Sequence, residues 1–325
     1  MTQSPRRSLS GHARWLPLAA VLLIGTGLAA TGGVTGAAAP RAISTTPASL
    51  TRRFSWVPVN DGRFGVRVAI HGRPVVWLTT YHPLANSPST VASAAVIDQT
   101  SLRAGLFNGP LVPGGCCWHN GTVVMPAAKP SLVAAFNGGF EFRHMYQSGY
   151  KSEGRVMKPL QNGVATLVIS KTGLVKVGLL GIDFRDDGTW VSIRQNLPAV
   201  VMNGASVTYT HAPNVWGSNY GGVMVSNRSA ICTRADGRLM YVYVGMVDVN
   251  AFAKALVSMG CRFGMQLDIN GTWPQFATYT GFGTTSRSGV VIDSRMTNPN
   301  RYVVYSQKDF IAFFDPATLP ARVVV

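Results

Sequence analysis

The sequence predicts an α+β fold: a mixed, largely antiparallel sheet with few flanking helices. Three observations carry this expectation. Apolar residues alternate along short runs that return on themselves across Gly-containing turns, which is the pattern of hairpins. A single segment has a clear helical period. The 325 residues include 35 glycines and only 13% charged residues, a composition that suits many tight turns around a packed core and argues against disorder.

The elements follow in chain order. Arg6, Arg7 and Arg14 form a positive n-region, Trp15 to Ala30 is apolar and uncharged, and Gly36-Ala37-Ala38-Ala39 offers small residues for cleavage. Residues 1–39 therefore read as a cleaved signal peptide, or as an uncleaved membrane anchor, since the apolar run through Val34 approaches the span a membrane helix needs. The Arg6-Arg7 pair reads as ordinary n-region charge rather than a twin-arginine signal. Residues 40–52, rich in Ala, Pro, Ser and Thr, read as a linker, and residues 53–325 as one domain. The bulk of the chain is expected outside the cytoplasm, secreted or held at the membrane by its N-terminal segment.

Within the domain, Phe64, Val66, Val68 and Ile70 alternate, His71-Gly72-Arg73 turns, and Val75 to Leu78 returns. Ala165 to Ser170 and Leu174 to Val177 flank Lys171-Thr172-Gly173 in the same way. Ser229 to Thr233 and Leu239 to Val244 flank a turn containing Asp236-Gly237. Val249, Phe252, Ala253, Leu256 and Val257 follow the helical period, with Asp248 placed to cap the start and Gly260 to end it. The strand Phe263 to Ile269 follows, and Asp309 to Phe314 is a last apolar strand.

The formal net charge is +16, of which three charges belong to the N-terminal segment. The rest is spread along the chain, with neither the basic patch nor the motif of a nucleic-acid binder. This excess suits either a plain basic exported protein or attraction to anionic envelope polymers and phosphorylated glycans. Cys116, Cys117, Cys232 and Cys261 lack CxxC spacing. Cys232 and Cys261 can pair across adjacent strands, and Cys116-Cys117 can form a vicinal bridge or pair elsewhere; the sequence leaves the connectivity open. His71, His82, His119, His144 and His211 are scattered, with no HExxH. No Gly-x-Ser-x-Gly elbow or P-loop appears, so no metal and no cofactor is expected. The oligomeric state is not legible.

Two apolar runs end in polar residues and a glycine turn: Leu132-Val133-Ala134-Ala135-Phe136-Asn137-Gly138-Gly139-Phe140 and Met265-Gln266-Leu267-Asp268-Ile269-Asn270-Gly271-Thr272-Trp273. The chain has only 13 acidic residues, so an Asp inside an apolar run is not routine solvation. Rigid strands that hand residues to loops are where function collects, and the two ends together suggest one polar site.

These residues resemble a family. Ala135-Phe136-Asn137-Gly138-Gly139-Phe140 is similar to the Asn-Gly-Gly-Phe motif of the phosphodiester glycosidases. Arg228-Ser229-Ala230, followed by Asp236-Gly237, is similar to that family's Arg-Thr/Ser-Ala segment and hairpin. The helix ending at Gly260 and the strand carrying Leu267-Asp268 match its closing motif in position. The resemblance spans roughly residues 60–315. One branch carries Leu-Asp-Gly-Gly-Gly-Ser where this chain has Leu267-Asp268-Ile269-Asn270-Gly271-Thr272-Trp273. That stretch and Arg194-Gln195-Asn196-Leu197 resemble an actinobacterial branch of exported members.

The resemblance implies a hydrolase that cleaves a sugar C1–O bond whose leaving group is a phosphate ester. Such a leaving group is a weak base and needs positive charge and fixed donors more than a proton, unlike the two-carboxylate demand of ordinary glycosidases. Asp268 is then the nucleophile or the base that activates water. Arg228 offers a planar fork for phosphate. Asn137 and Asn270 are candidates for sugar hydroxyls or phosphate oxygens, and Gly138 and Gly139 form an anion nest if their turn has φ > 0. Lys158 and Arg194 are candidate phosphate contacts, Glu141 a second carboxylate, and Trp273 a sugar-stacking platform. The alternative is a non-catalytic module that binds an envelope glycan or a polyphosphate polymer.

Overall fold

The computed structural model describes residues 64–145, 147–218, 220–280 and 288–325; the signal-or-anchor segment 1–39 and the linker 40–52 lie outside them. Among the described residues, strands form one eight-stranded and two five-stranded sheets. Adjacent strands pair antiparallel throughout, with one α-helix of substance, Val249–Ser258, and a single turn at Arg301–Val304. No helix among the described residues is long and apolar enough to cross a membrane.

The eight-stranded sheet runs Gly65–Ile70, Arg73–Tyr81, Ala92–Ile97, Leu239–Val247, Ser226–Arg234, Cys261–Ile269, Val201–Met202, Ala205–Ser206. Two of its hairpins, Gly65–Ile70 with Arg73–Tyr81 and Ser226–Arg234 with Leu239–Val247, are those the alternation predicts. Asp248 caps the helix by accepting from Ala251 N–H at 2.8 Å, and Gly260, at φ 83°, closes it. Cys232 and Cys261 form a disulfide near the pairing of Arg234 with Cys261.

Strand alternation divides this sheet into two faces. On one, Ile231, Tyr241, Met265 and Leu267 pack against Phe136, Phe276 and Phe313 of the second sheet. On the other, Ala230, Cys232, Met240 and Val242 pack with Trp216 and the helix residues Phe252 and Leu256. Half of the helix residues are buried because only one of its faces meets the sheet.

The second sheet runs Ser288–Val291, Phe276–Thr280, Leu132–Asn137, Phe310–Phe314, Arg103–Phe107. Leu132–Asn137 is central and wholly buried, which is why it reads as a continuous apolar run. Phe136 stacks parallel to Phe276 at 6.2 Å and lies 5.5 Å from Tyr241, so the ring joins the two sheets. The third sheet, with Tyr150–Ser152, Ala165–Ser170 and Trp190–Gln195, supplies the polar bed beneath the loop that follows Asn137.

Candidate active site

The ends of Leu132–Asn137 and Cys261–Ile269 converge. Asn137, Gly138, Gly139, Asp268 and Trp273 line one cleft of about 200 Å³, together with Arg301, Tyr302, Ser306, Lys308 and Asp309. Asp268 N–H donates to Gly138 O at 3.2 Å, so the two strand ends are joined by backbone.

Asp268 is a buried carboxylate that lines the cleft. Its Oδ2 contacts the Lys308 ammonium, and its Oδ1 accepts from Ile269 N–H at 2.9 Å. Burial pushes its carboxyl above the usual range; Lys308 and the Ile269 N–H oppose this, and nearby Asp309 adds to it. Burial is the larger influence, as expected for a carboxylate shielded from water. Lys308 Nζ also lies 4.5 Å from the centre of the Trp273 ring and 3.7 Å from Glu141 Oε1. A carboxylate, an ammonium and an indole face therefore share one mouth.

The glycines of the Asn-Gly-Gly-Phe turn serve close approach. Neither has positive φ, so the anion nest expected of Gly138 and Gly139 does not form, and Gly138 N–H is spent on Asp309 O at 2.9 Å. A Cβ at Gly138 would collide with the Asp309 carboxylate, and one at Gly139 would sit 2.6 Å from Asn196 Oδ1. Asn137 is also spent internally. Its Oδ1 accepts from Tyr241 OH and Gln275 N–H, each at 2.9 Å, and its Nδ2 donates to Gly138 O and to Ser229 Oγ. It positions the turn rather than offering a free amide.

Arg228 is the main correction. Its expected role was to clamp phosphate, but it does not line the cleft. Its side chain is fully buried on the sheet face that carries the helix. Nε donates to Val247 O, one terminal nitrogen to Trp216 O and Gln266 Oε1, and the other to Gly217 O and Met224 O. All five donors are used, so the guanidinium ties together chain segments and has no fork left for phosphate. Burial pulls its pKa down to about 10, with Asp248 opposing. Its neighbour Ser229, on the opposite face, is the residue that reaches the site region, donating to Asp268 O at 2.8 Å.

Arg194 lies beneath the turn rather than in the cleft. It bonds Asp309 Oδ2 at 2.7 Å, Phe140 O at 2.7 Å and Gln195 O at 2.6 Å, and both it and Asp309 are fully buried. Asn196 adds to this bed by accepting from Phe140 N–H at 3.1 Å. Lys158 points elsewhere and donates to Met145 O at 3.0 Å; burial and Arg194 lower its pKa. Glu141 pairs with Arg143 at 2.9 Å and sits at the edge of the Lys308 environment. Asn270, at φ 80°, turns its Oδ1 onto Thr272 N–H and Trp273 N–H at 2.9 and 3.2 Å, shaping the loop that presents the indole.

Lys308, Arg301, Tyr302, Ser306 and Asp309 are absent from the sequence-derived site. Arg301 donates to Trp273 O at 3.1 Å and Thr272 O at 2.6 Å and so holds that loop. The signal for Lys308 and Asp309 was present: both immediately precede the apolar strand Phe310–Phe314. Attention to strand ends misses strand starts, yet in an antiparallel sheet the start of one strand lies beside the end of its neighbour. Phe310 pairs with Asn137.

A sheet-rich domain with a buried carboxylate at paired strand ends is the class defined by this fold and cleft. Residues 130–268, less than half of the chain, match the family described as phosphodiester glycosidase, and within that segment the chain is similar to it. The match takes in the Asn-Gly-Gly-Phe turn and ends at Asp268; Lys308 lies beyond it. Among solved structures, the zebrafish N-acetylglucosamine-1-phosphodiester alpha-N-acetylglucosaminidase catalytic domain, auto-inhibited by its pro-peptide, aligns with a TM-score of 0.46 at 15% identity, over 77% of this chain and 86% of that one. A hypothetical protein from Synechocystis aligns with a TM-score of 0.50 at 10% identity, over 76% of this chain and 63% of that one, a likeness of fold. Compared with curated proteins, the chain matches none.

Proposed function

We propose that the cleft hydrolyses a sugar-1-phosphodiester, breaking the bond between the anomeric carbon and the phosphate oxygen, in an extracytoplasmic glycan or glycolipid. The observation that carries this reading is Asp268, a buried carboxylate in contact with the Lys308 ammonium beneath the Trp273 ring, in a segment that matches the family. The phosphate leaves as a weak base, so the chief demand is a cation at its oxygens. Lys308, in contact with the Asp268 carboxylate, is the cation that meets it. Asp268 delivers its own oxygen or a water to the anomeric carbon, and Trp273 offers a face for the sugar ring. The products are a free sugar and a phosphomonoester. Retention of anomeric configuration marks attack by Asp268 itself, and inversion marks attack by water. The expected export of the chain and its excess of positive charge support a substrate among anionic envelope polymers.

The test is release of free sugar from synthetic sugar-1-phosphodiesters, with Asp268→Asn as control. The wild type turns over at least one diester, and the variant loses rate by orders of magnitude while keeping its affinity for the ligand. Folded wild-type protein that cleaves no member of a broad panel sinks the proposal. A second reading, a non-catalytic glycan-binding module, draws on the Ile269-Asn270-Gly271-Thr272-Trp273 end, which departs from the Leu-Asp-Gly-Gly-Gly-Ser of one branch of the family it resembles. In that case Asp268→Asn alters affinity or nothing, and no diester is turned over.

A further inference from the structure

The chain between Arg103–Phe107 and the turn Lys129–Ser131 carries two adjacent, exposed thiols, Cys116 and Cys117, whose sulfurs lie 2.8 Å apart. The contact is held from both sides. Before it, Gly114 and Gly115 take left-handed φ of 76° and 73°, and Gly114 N–H donates to Gly109 O at 3.1 Å. After it, Trp118 Nε1 donates back to Gly114 O at 2.9 Å, closing the loop around the pair. Arg155 lies on the Trp118 ring at 3.8 Å and donates to Cys117 O at 3.4 Å. Glu153 accepts from His119 N–H and Asn120 N–H at 3.1 and 2.7 Å. Cys117 itself has φ 65°, a conformation non-glycine residues adopt seldom. A loop this constrained keeps the thiols together and on the surface, where they contribute nothing to a core.

We propose that Cys116 and Cys117 are a redox site, a vicinal dithiol that closes to an intramolecular disulfide by exchange with small-molecule disulfides. The sulfurs are within about 1 Å of the ~2.05 Å bond length, so closure needs little movement. One thiolate of the pair attacks a sulfur of the small disulfide and displaces a thiol, giving a mixed disulfide. The second thiolate attacks the protein sulfur of that bond and releases the second thiol. Two protein thiols are oxidised, one small disulfide is reduced to two thiols, and the protein's two protons end on them. The chain already holds a buried disulfide, Cys232–Cys261, with Cα atoms 5.5 Å apart, inside the ordinary range. Adjacent residues place Cα atoms only ~3.8 Å apart, short of the ~4.4–6.8 Å that disulfides prefer. The vicinal bond therefore falls in the strained, exposed and easily reduced class, while the buried one is structural.

The experiment equilibrates purified protein with mixtures of reduced and oxidised glutathione, traps free thiols with iodoacetamide and weighs the proteolytic peptide that carries both cysteines. In oxidising mixtures the peptide is expected to lose two hydrogens and carry neither carbamidomethyl nor glutathione. In mildly reducing mixtures it takes two carbamidomethyl groups while Cys232–Cys261 stays bonded. Cys117→Ser, at an exposed position, should instead hold glutathione on Cys116. Two alkylated thiols after oxidation, two retained glutathiones, or disulfide-linked dimers in place of the closed pair would each overturn the proposal.

Discussion

At Asp268 two influences oppose each other: burial raises the carboxyl, and Lys308 with the Ile269 N–H lowers it, with burial ahead. If the carboxylate is the reacting form, activity on a diester appears only as pH rises through this elevated pKa, so the acid limb lies above that of an ordinary Asp. Lys308→Met removes the chief lowering influence, and the limb should move to still higher pH, besides any loss in maximal rate. A pH–rate profile of both proteins checks this; an unmoved limb means the limb belongs to another group. The same shift links to stability. A raised acid favours the folded state fully below the ordinary carboxylate pKa, and that contribution is lost as pH rises through the folded value. Asp309 differs, because Arg194 holds it with full burial on both sides. Asp309→Ala leaves a buried guanidinium uncompensated and is expected to cost about 3–5 kcal/mol, read by urea unfolding. Asp309→Asn keeps the shape and should cost less.

At the scale of elements, the central observation is that strand ends meet strand starts. The hairpins, the capped helix and the two polar strand ends were legible because each rests on local chemistry: alternation, Asp248 before a helical period, and glycine after Asn137. What was not legible depends on pairing across the chain. Lys308 reaches Asp268 only because Phe310–Phe314 runs antiparallel to Leu132–Asn137. The part Arg228 plays is hidden in the sequence because its partners, at positions 216, 217, 224, 247 and 266, are scattered along it, and an arginine that ties loops looks like one that grips phosphate. Arg228→Lys is accordingly expected to act on the fold. Lysine has three donors where five are used, and each charged hydrogen bond lost costs ~1.5–3 kcal/mol, so about 3 kcal/mol or more should vanish from the unfolding free energy. Any rate loss should be equal on phosphodiesters and on aryl glycosides lacking phosphate. A loss confined to phosphodiesters would return Arg228 to the site.

For the whole molecule, the cleft stands where the eight-stranded sheet meets the second sheet, and rigidity there comes from both. Phe136 packs between them against Tyr241, Phe276 and Phe313, one residue before the Asn137 turn. The disulfide lies elsewhere on the same sheet: Cys232 pairs opposite Gly264, whereas Arg228 pairs opposite Ile269 beside the cleft. These two supports should separate in experiment. Phe136→Ala opens a cavity between the sheets, with an expected cost of about 3–5 kcal/mol, and because the turn hangs on that strand it should lower kcat as well as stability. Cys232 and Cys261 are 29 residues apart, and a closed loop of that size restricts the unfolded chain by about 3.5 kcal/mol in the chain-entropy account. Replacing both by Ala should lower the unfolding free energy by a comparable amount while leaving the pH–rate profile of Asp268 in place at temperatures where the variant is folded. Denaturant titration gives the first quantity and kinetics the second. A shifted acid limb in the double variant would mean that the staple reaches the cleft through strand Cys261–Ile269, and that the far end of the sheet helps to set the environment of Asp268.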